Sequence, residues 1–318
     1  MRTRNAVGLA ALVDAGVVTR CQLLAAGADR TLFDREVRAG RWSRPFPGIA
    51  LTLAEPTAAH LARAALLAGG ADSALTGLTA ARLHGLRDVP DGGPVDLLVP
   101  VRRRLQVPAG VRLRRTAHDI VTEQVQGSRV VPADRAVTDA ALRLPRLQDV
   151  RALLLAGVAD GRFDVDRLDL LLLGAPQRGS AHLRRALRDA RRGAASAPEA
   201  ELVDLLLPVA RRLRLELLVN AEVRHRGLLL GRVDALLPAL ALGVEVDSRR
   251  HHGSSKDLEA TLRRHDRFAA AGVRLLHVTP WAVRVDPQDV VARVLAAVRA
   301  PAVVPSDIEV TRRSPSSP

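Results

Sequence analysis

Asp234, Glu245 and Asp247 are the residues whose type and spacing are best suited to chemistry in this chain. In Val244-Glu245-Val246-Asp247 the alternation of a strand puts both carboxylates on one face and both valines on the other. The apolar segment before it carries Asp234 in Gly231-Arg232-Val233-Asp234, and a tight turn at Pro238-Ala239 would fold that segment back beside Glu245 and Asp247. Three converging carboxylates raise one another's pKa unless a cation neutralises them. The matching ion is hard and oxygen-loving, Mg2+ or Mn2+. Such an ion lowers the pKa of bound water and stabilises charge on a phosphoryl oxygen. A polar loop then supplies His251 and His252, and the following helix Arg263, Arg264, His265 and Arg267. Imidazole moves protons near neutral pH, and guanidinium pairs with phosphate through two hydrogen bonds. Taken singly, the Glu-x-Asp pair reads as an ordinary solvated strand face and the His-His pair as a surface loop. The carboxylates stand out because they interrupt an otherwise apolar strand, with Asp234 a short way upstream.

The elements that must position these groups follow from pattern and punctuation. Ser196-Ala197-Pro198-Glu199 has the form of a helix start, with Ser196 as cap and Glu199 as its capping-box partner, and the helix runs to about Arg212. Leu217 to Val223, Gly231 to Leu237 and Leu240 to Val246 read as strands. A helix from Lys256 to Ala271, a strand from Val273 to Val278 and a helix from Pro287 to Val298 complete an α-β-β-β-α-β-α order. That order is an α/β sandwich around a mixed sheet.

Composition narrows the function classes. The 318 residues carry 48 Lys+Arg against 34 Asp+Glu, a formal charge of +14 that attracts polyanions. Lys256 is the only lysine, so arginine supplies nearly all of this charge. Cys21 is the single cysteine, which excludes an internal disulfide and a cysteine-based zinc site and suits a cytoplasmic protein. The longest uncharged apolar stretch, Leu236 to Val244, is far short of the roughly 18 residues a spanning helix needs, so no membrane is expected as a partner. Asp14 breaks the apolar run after Arg2 and Arg4, and no signal peptide is read there.

The first 53 residues read as three short helices and a hairpin, the order of a winged helix-turn-helix. Thr19 caps the second helix, Asp29 caps a third from Arg30 to Ala39, and Arg41 to Leu51 alternates around a Pro-Gly turn. Arg30, Arg35 and Arg38 would face DNA from the third helix, with Arg41 and Arg44 on the wing reaching phosphates. An ordinary solvated face is the alternative. Residues 54–195 read as a mixed α+β middle domain. In it Arg102 to Arg104 and Arg112 to Arg115 flank a Pro108-Ala109-Gly110 turn, a basic hairpin able to track phosphates or a solvated edge strand. His60, His84, His118 and His182 lack ligand spacing and are read as structural.

Residues 196–298 resemble domain of unknown function 559, related to the very-short-patch repair endonucleases and so to the PD-(D/E)XK superfamily. The matching pieces are Ser196 to Glu199, Gly231 to Asp234, Val244 to Ser248, His251-His252, Thr261 to His265 and Ala271 to Pro280. The resemblance implies Asp234 and Glu245 as metal-binding carboxylates, Glu199 and Asp247 completing the shell, and one of His251 or His252, with His252 favoured, as the proton-transfer group. It departs from the superfamily's Glu-x-Lys, since Asp247 stands at the lysine position. The stretches from Gly16 to Leu51, Ser73 to Leu86 and Val130 to Asp139 resemble the AbiEi antitoxins of abortive-infection toxin-antitoxin systems.

The expectation is thus a multi-domain α/β protein: a winged helix-turn-helix (1–53), an AbiEi-like middle domain (54–195), a restriction-endonuclease-like sandwich (196–300) and a disordered tail (301–318). Its expected activity is DNA cleavage, with Arg263 or Arg264 steadying phosphate. The rival is a non-enzymatic antitoxin or repressor, partnered by a cognate toxin, whose nuclease fold is only a scaffold. Glu245 and Asp247 buried in ion pairs to arginine would go with the rival, an open acidic cleft rimmed with arginine with the nuclease. Neither reading fixes an oligomeric state.

Overall fold

The structure is a computed structural model that describes residues 9–173, 179–247, 255–301, 305 and 307–311. The architecture is mixed α/β, with the chain divided into two compact units, Met1–Arg143 and Leu144–Pro318. No helix among the described residues is long and apolar enough to cross a membrane.

The first unit opens with α1 (residues 9–14), β1 (Val17–Thr19), α2 (Arg20–Ala25), α3 (Leu32–Arg38), β2 (Ser43–Phe46) and β3 (Ile49–Leu51). Thr19 caps α2 as its sequence predicts: its Oγ1 accepts the Gln22 N–H at 3.1 Å while Gln22 Oε1 accepts the Thr19 N–H at 2.8 Å. Helix α3 starts later than Arg30, because Asp29 accepts the Thr31 N–H at 2.7 Å and holds the preceding residues in a turn. Strand β1, unforeseen, makes the order β1-β3-β2. Beneath it Phe33 and Trp42 meet edge to face at 6.5 Å in a small core with Val18, Leu23 and Ala50.

After α4 (Ala58–Gly69) come β4 (Ala74–Leu75), α5 (Gly77–Leu83), β5 (Val95–Pro100), β6 (Val111–Thr116), β7 (Glu123–Val125), β8 (Ser128–Val130) and α6 (Ala133–Ala141), with strand order β6-β5-β4-β8-β7. One core runs from Val17, Phe46 and Ile49 through the alanines of α4 to Leu75, Leu97 and Val99, so packing does not break at residues 53/54. The expected basic hairpin does not form. β5 and β6 are parallel, with Asp96 opposite Arg112, and residues 101–110 cross over between them. Two of its arginines serve the core instead, Arg112 bonding buried Asp96 at 2.5 Å and Arg114 facing buried Asp139 at 3.2 Å. His60 and His84 are structural as read: the His60 ring accepts the Thr57 N–H that opens α4, and His84 bonds the Val131 carbonyl.

The second unit begins with α7 (Leu147–Ala159), α8 (Val165–Leu173) and α9 (Ala181–Arg191), which the sequence had assigned to the middle domain. They belong with α10 (Ala197–Arg212) because Arg151 of α7, 3% exposed, donates to Asp189 of α9 at 2.9 Å and to Asp204 of α10. The sheet comprises β9 (Leu218–His225), β10 (Leu228–Leu237), β11 (Leu242–Val246), β12 (Arg274–Val278) and β13 (Ile308–Thr311) in the order β12-β11-β10-β9-β13. All its pairs are antiparallel except β11 with β12, which the intervening α11 (Ser255–Ala270) allows to run parallel. Phe268 and Ala271 share a core with Val233 and Leu275 over one region of the sheet. Val244, Val246 and Val278 pack with Leu202 and Leu206 of α10, Val283 of α12 (Pro280–Val285), and Val290 and Val294 of α13 (Pro287–Arg299). The tail expected after residue 300 contributes β13, whose Val310 lies opposite Val223; alternation of Ile308 and Val310 with polar residues is what lets it add an edge strand.

Candidate functional site

Registers in the second sheet set the site. β10 and β11 pair Ala235 with Val244, which brings Asp234 and Glu245 to the next position along, and β11 and β12 pair Glu245 with His277. On the other side, Val233 opposite Ala221 and Ala235 opposite Val219 bracket Asp234 at the level of Asn220. Asn220 takes a left-handed φ of +49° and donates from Nδ2 to Glu199 Oε2 at 2.5 Å. Five polar residues thus follow one line: Glu199, Asn220, Asp234, Glu245 and His277.

Glu199 is committed to the start of α10, where Oε2 accepts the Ala195 N–H at 2.8 Å and Oε1 the Ser196 hydroxyl at 2.9 Å. Asp234 Oδ2 accepts the Val246 N–H at 2.8 Å. Burial first, then the charges of Glu199 and Glu245, push the Asp234 carboxyl up to about 7, against the pull of the Val246 N–H and Arg232. Glu245, 8% exposed, has both oxygens held by Arg264, with the Nη1 to Oε2 bond at 2.9 Å. Arg264 also donates to the Arg232 carbonyl and lies 5.0 Å over the Phe268 ring. The Glu245 hydrogen bonds hold the Arg264 guanidinium above its usual pKa.

His277 Nδ1 lies 3.7 Å from Glu245 Oε2, and its ring is 4.4 Å from that of His265, tilted by 38°. Burial lowers the pKa of His277; Glu245 and Asp247 oppose that, and His265 and Arg264 add to it. One ligand atom each from Glu245, His265 and His277 lies within 4.8 Å of the other two, the one such group of three among the described residues.

The structure brings together Glu199, Asp234, Glu245 and Arg264 of the residues predicted from sequence. The expected oxygen-only trio of Asp234, Glu245 and Asp247 does not close to that spacing: the Glu245 oxygens are turned to Arg264 and His277, while Asp247, the first residue after β11, is exposed. Arg263 is exposed and pairs with Glu259. His251 and His252 lie outside the described residues. Sequence reasoning passed over Asn220 and the pairing of His265 with His277. The available signal was a histidine inside the apolar strand Val273 to Val278, two residues from Leu275 on the same alternation as Glu245.

Asp234 and Glu245 fit a divalent cation by donor chemistry: burial first, and the charges of Glu199 and Glu245 second, disfavour an ionised Asp234, a cation opposes both, and Mg2+ is commonly held by one or two carboxylates. In the first unit Arg30, Arg35, Arg38, Arg41 and Arg44 are all exposed. Arg35 and Arg41 bond Glu36, at 3.3 and 2.5 Å, whereas Arg30, Arg38 and Arg44 have no ion pair among the described residues.

No family model matches the chain, and no curated protein matches it. Among solved structures it is similar to the RV2827C protein from Mycobacterium tuberculosis, at 19% identity and a TM-score of 0.41, over 63% of this chain and 80% of that one.

Proposed function

We propose that this is a cytoplasmic DNA-binding protein whose second unit is a PD-(D/E)XK-type endonuclease-like fold that hydrolyses DNA phosphodiester bonds with Mg2+ or Mn2+. The observation that carries the reading is Asp234, set between Glu199 and Glu245 on adjacent elements and raised to a pKa of about 7. Supporting it are the α10-β9-β10-β11-α11-β12 order with its single parallel pair, and Arg264 and Arg263 on the helix that follows the Glu245 strand. Asp234 and Glu245 would hold the ion, which when bound supplies an activated water and charge stabilisation at phosphorus. With Oδ2 engaged by the Val246 N–H, Asp234 has Oδ1 left to offer the ion. Arg264 shifts from Glu245 toward a phosphate oxygen as DNA enters, and Arg263 presents a second guanidinium at the rim. His252 is assigned proton transfer by resemblance alone. In the first unit, the α1-β1-α2-α3-β2-β3 order and its exposed arginines support a winged helix that grips DNA.

The test is cleavage of supercoiled, linear, single-stranded and mismatched DNA with Mg2+ or Mn2+, comparing wild type with Asp234→Ala and Glu245→Ala proteins of matched stability. Wild type should cut, and each variant should lose at least about a hundredfold, in line with removing a principal electrostatic contact. A second reading is favoured by the hold of Arg264 on both Glu245 oxygens and the use of Glu199 as a cap. It is a non-enzymatic antitoxin or repressor with a cognate toxin as partner. If no protein cuts yet all retard DNA, that reading replaces the first.

A further inference from the structure

His265 Nε2 is buried and has no hydrogen-bond partner among the described residues, in a ring stacked on that of His277. An orphaned buried nitrogen is costly unless something outside the protein satisfies it. Beside it, the 3.7 Å between His277 Nδ1 and Glu245 Oε2 is too long for a hydrogen bond. It is near the edge, about 3.3 Å, of a tetrahedron built from ~2.0 Å metal–ligand bonds. Both imidazoles also line a cleft of about 480 Å3 that includes Gly272 and Arg274, so an ion has a route to them. From these observations together we infer that Glu245, His265 and His277 form a binding site for a first-row transition ion of the Zn2+ or Co2+ class.

The donor set makes the choice of ion. Two imidazole nitrogens and one carboxylate oxygen suit Zn2+ or Co2+, whereas Mg2+ takes oxygen ligands and demands near-octahedral geometry. Three protein ligands leave a fourth position for water or another ligand. Arg264 is the built-in competitor: its guanidinium occupies both Glu245 oxygens and places a positive charge beside the incoming cation. Occupancy by metal therefore requires Arg264 to give up at least one of those contacts. The site shares Glu245 with the hydrolytic site proposed above but does not rest on that reading, because a chain that cuts no DNA can still bind an ion here.

The experiment is titration of the tag-free, DNA-free full chain with Co2+, followed by its visible absorption bands and by calorimetry, with Mg2+ as comparison. One Co2+ should bind per chain. His265→Ala and His277→Ala should each weaken it at least about tenfold, and His118→Ala should leave it unchanged. Arg264→Gln should tighten it about tenfold by freeing Glu245. The proposal is overturned if the wild type binds no Co2+, if His251→Ala or His252→Ala abolishes binding while His265→Ala and His277→Ala do not, or if Arg264→Gln weakens it. Should a histidine variant fail to fold, diethyl pyrocarbonate labelling of the wild type decides: saturating Zn2+ must protect His265 and His277, and unchanged labelling overturns the site. DNA cleavage is scored separately with Mg2+ or Mn2+, so loss of one activity is not mistaken for loss of the other.

Discussion

Asp234 shows how much one buried carboxyl can respond to its neighbours. Its folded-state pKa of about 7 lies well above the ordinary 3.8, so the folded chain retains a proton there that the unfolded chain has released. The contribution of this group to stability is therefore complete below about pH 4 and is lost as pH rises through about 7. Asp234→Asn keeps an oxygen to accept the Val246 N–H and removes the charge. In EDTA, the variant should match wild type in urea midpoint near pH 4 and exceed it near pH 8.5. The gain should be on the order of 2 kcal/mol after allowance for solvent screening of a half-buried group. An equal difference at both pH values would show that burial and the charges of Glu199 and Glu245 do not raise Asp234 in the folded chain. Glu245, by contrast, has Arg264 on both oxygens to balance its charge.

At the scale of elements, the readable parts were those whose signal is local. Thr19 and Ser196 could be recognised as caps because a cap involves only four consecutive residues, and each accepts the N–H three residues on; the box expected at Ser196 closes differently, with Glu199 taking the Ala195 N–H and the Ser196 hydroxyl. The β10–β11 turn and the juxtaposition of Asp234 with Glu245 followed from strand period and one Pro-containing turn. What depended on distant pairing was not legible. The arginines around Pro108 carry the signature of a hairpin, but β5 finds β6 in parallel because Asp96 needs Arg112 and Asp139 needs Arg114, partners that no local pattern announces. The His265–His277 contact is of the same kind, since it requires knowing that α11 returns over β12. Residues 144–195 were placed with the wrong unit because helical periodicity does not say which core a helix joins; the buried Arg151 does. Arg151→Met leaves Asp189, 2% exposed, facing only the longer contacts of Arg185 and Arg192 among the described residues. It should cost about 3 kcal/mol in urea unfolding, the low end for breaking a buried pair. Arg146→Met, which removes an exposed partner of Asp149, should cost under about 1 kcal/mol. Similar costs for the two would mean that the α7–α9–α10 network does not hold the helices together.

For the whole molecule, the charge of +14 is the property that acts at longest range, and its use depends on which arginines remain free. In the second unit several are consumed internally: Arg151 and Arg185 on Asp189 and Asp204, Arg264 on Glu245, Arg284 on Glu201. The first unit keeps Arg30, Arg38 and Arg44 exposed and without ion pairs among the described residues, on or beside α3 and β2. Each phosphate neutralised by such a group releases counterions and contributes about 0.9 to the slope of log K against log salt. If these three grip DNA, an Arg30→Ala, Arg38→Ala, Arg44→Ala triple variant should lose about 2 to 3 from that slope relative to wild type, with affinity falling most at low salt. Arg35 and Arg41 are tied to Glu36, so replacing that pair should change the slope less. Fluorescence anisotropy of a labelled duplex between about 50 and 200 mM salt separates the outcomes. An unchanged slope in the triple variant would move DNA binding away from α3 and its wing. The slope also tests the two functional readings against each other. A nuclease whose DNA is held mainly at its cleavage site would lose slope when Arg263 and Arg264 are replaced, whereas a repressor would lose it when α3 and its wing are stripped of charge.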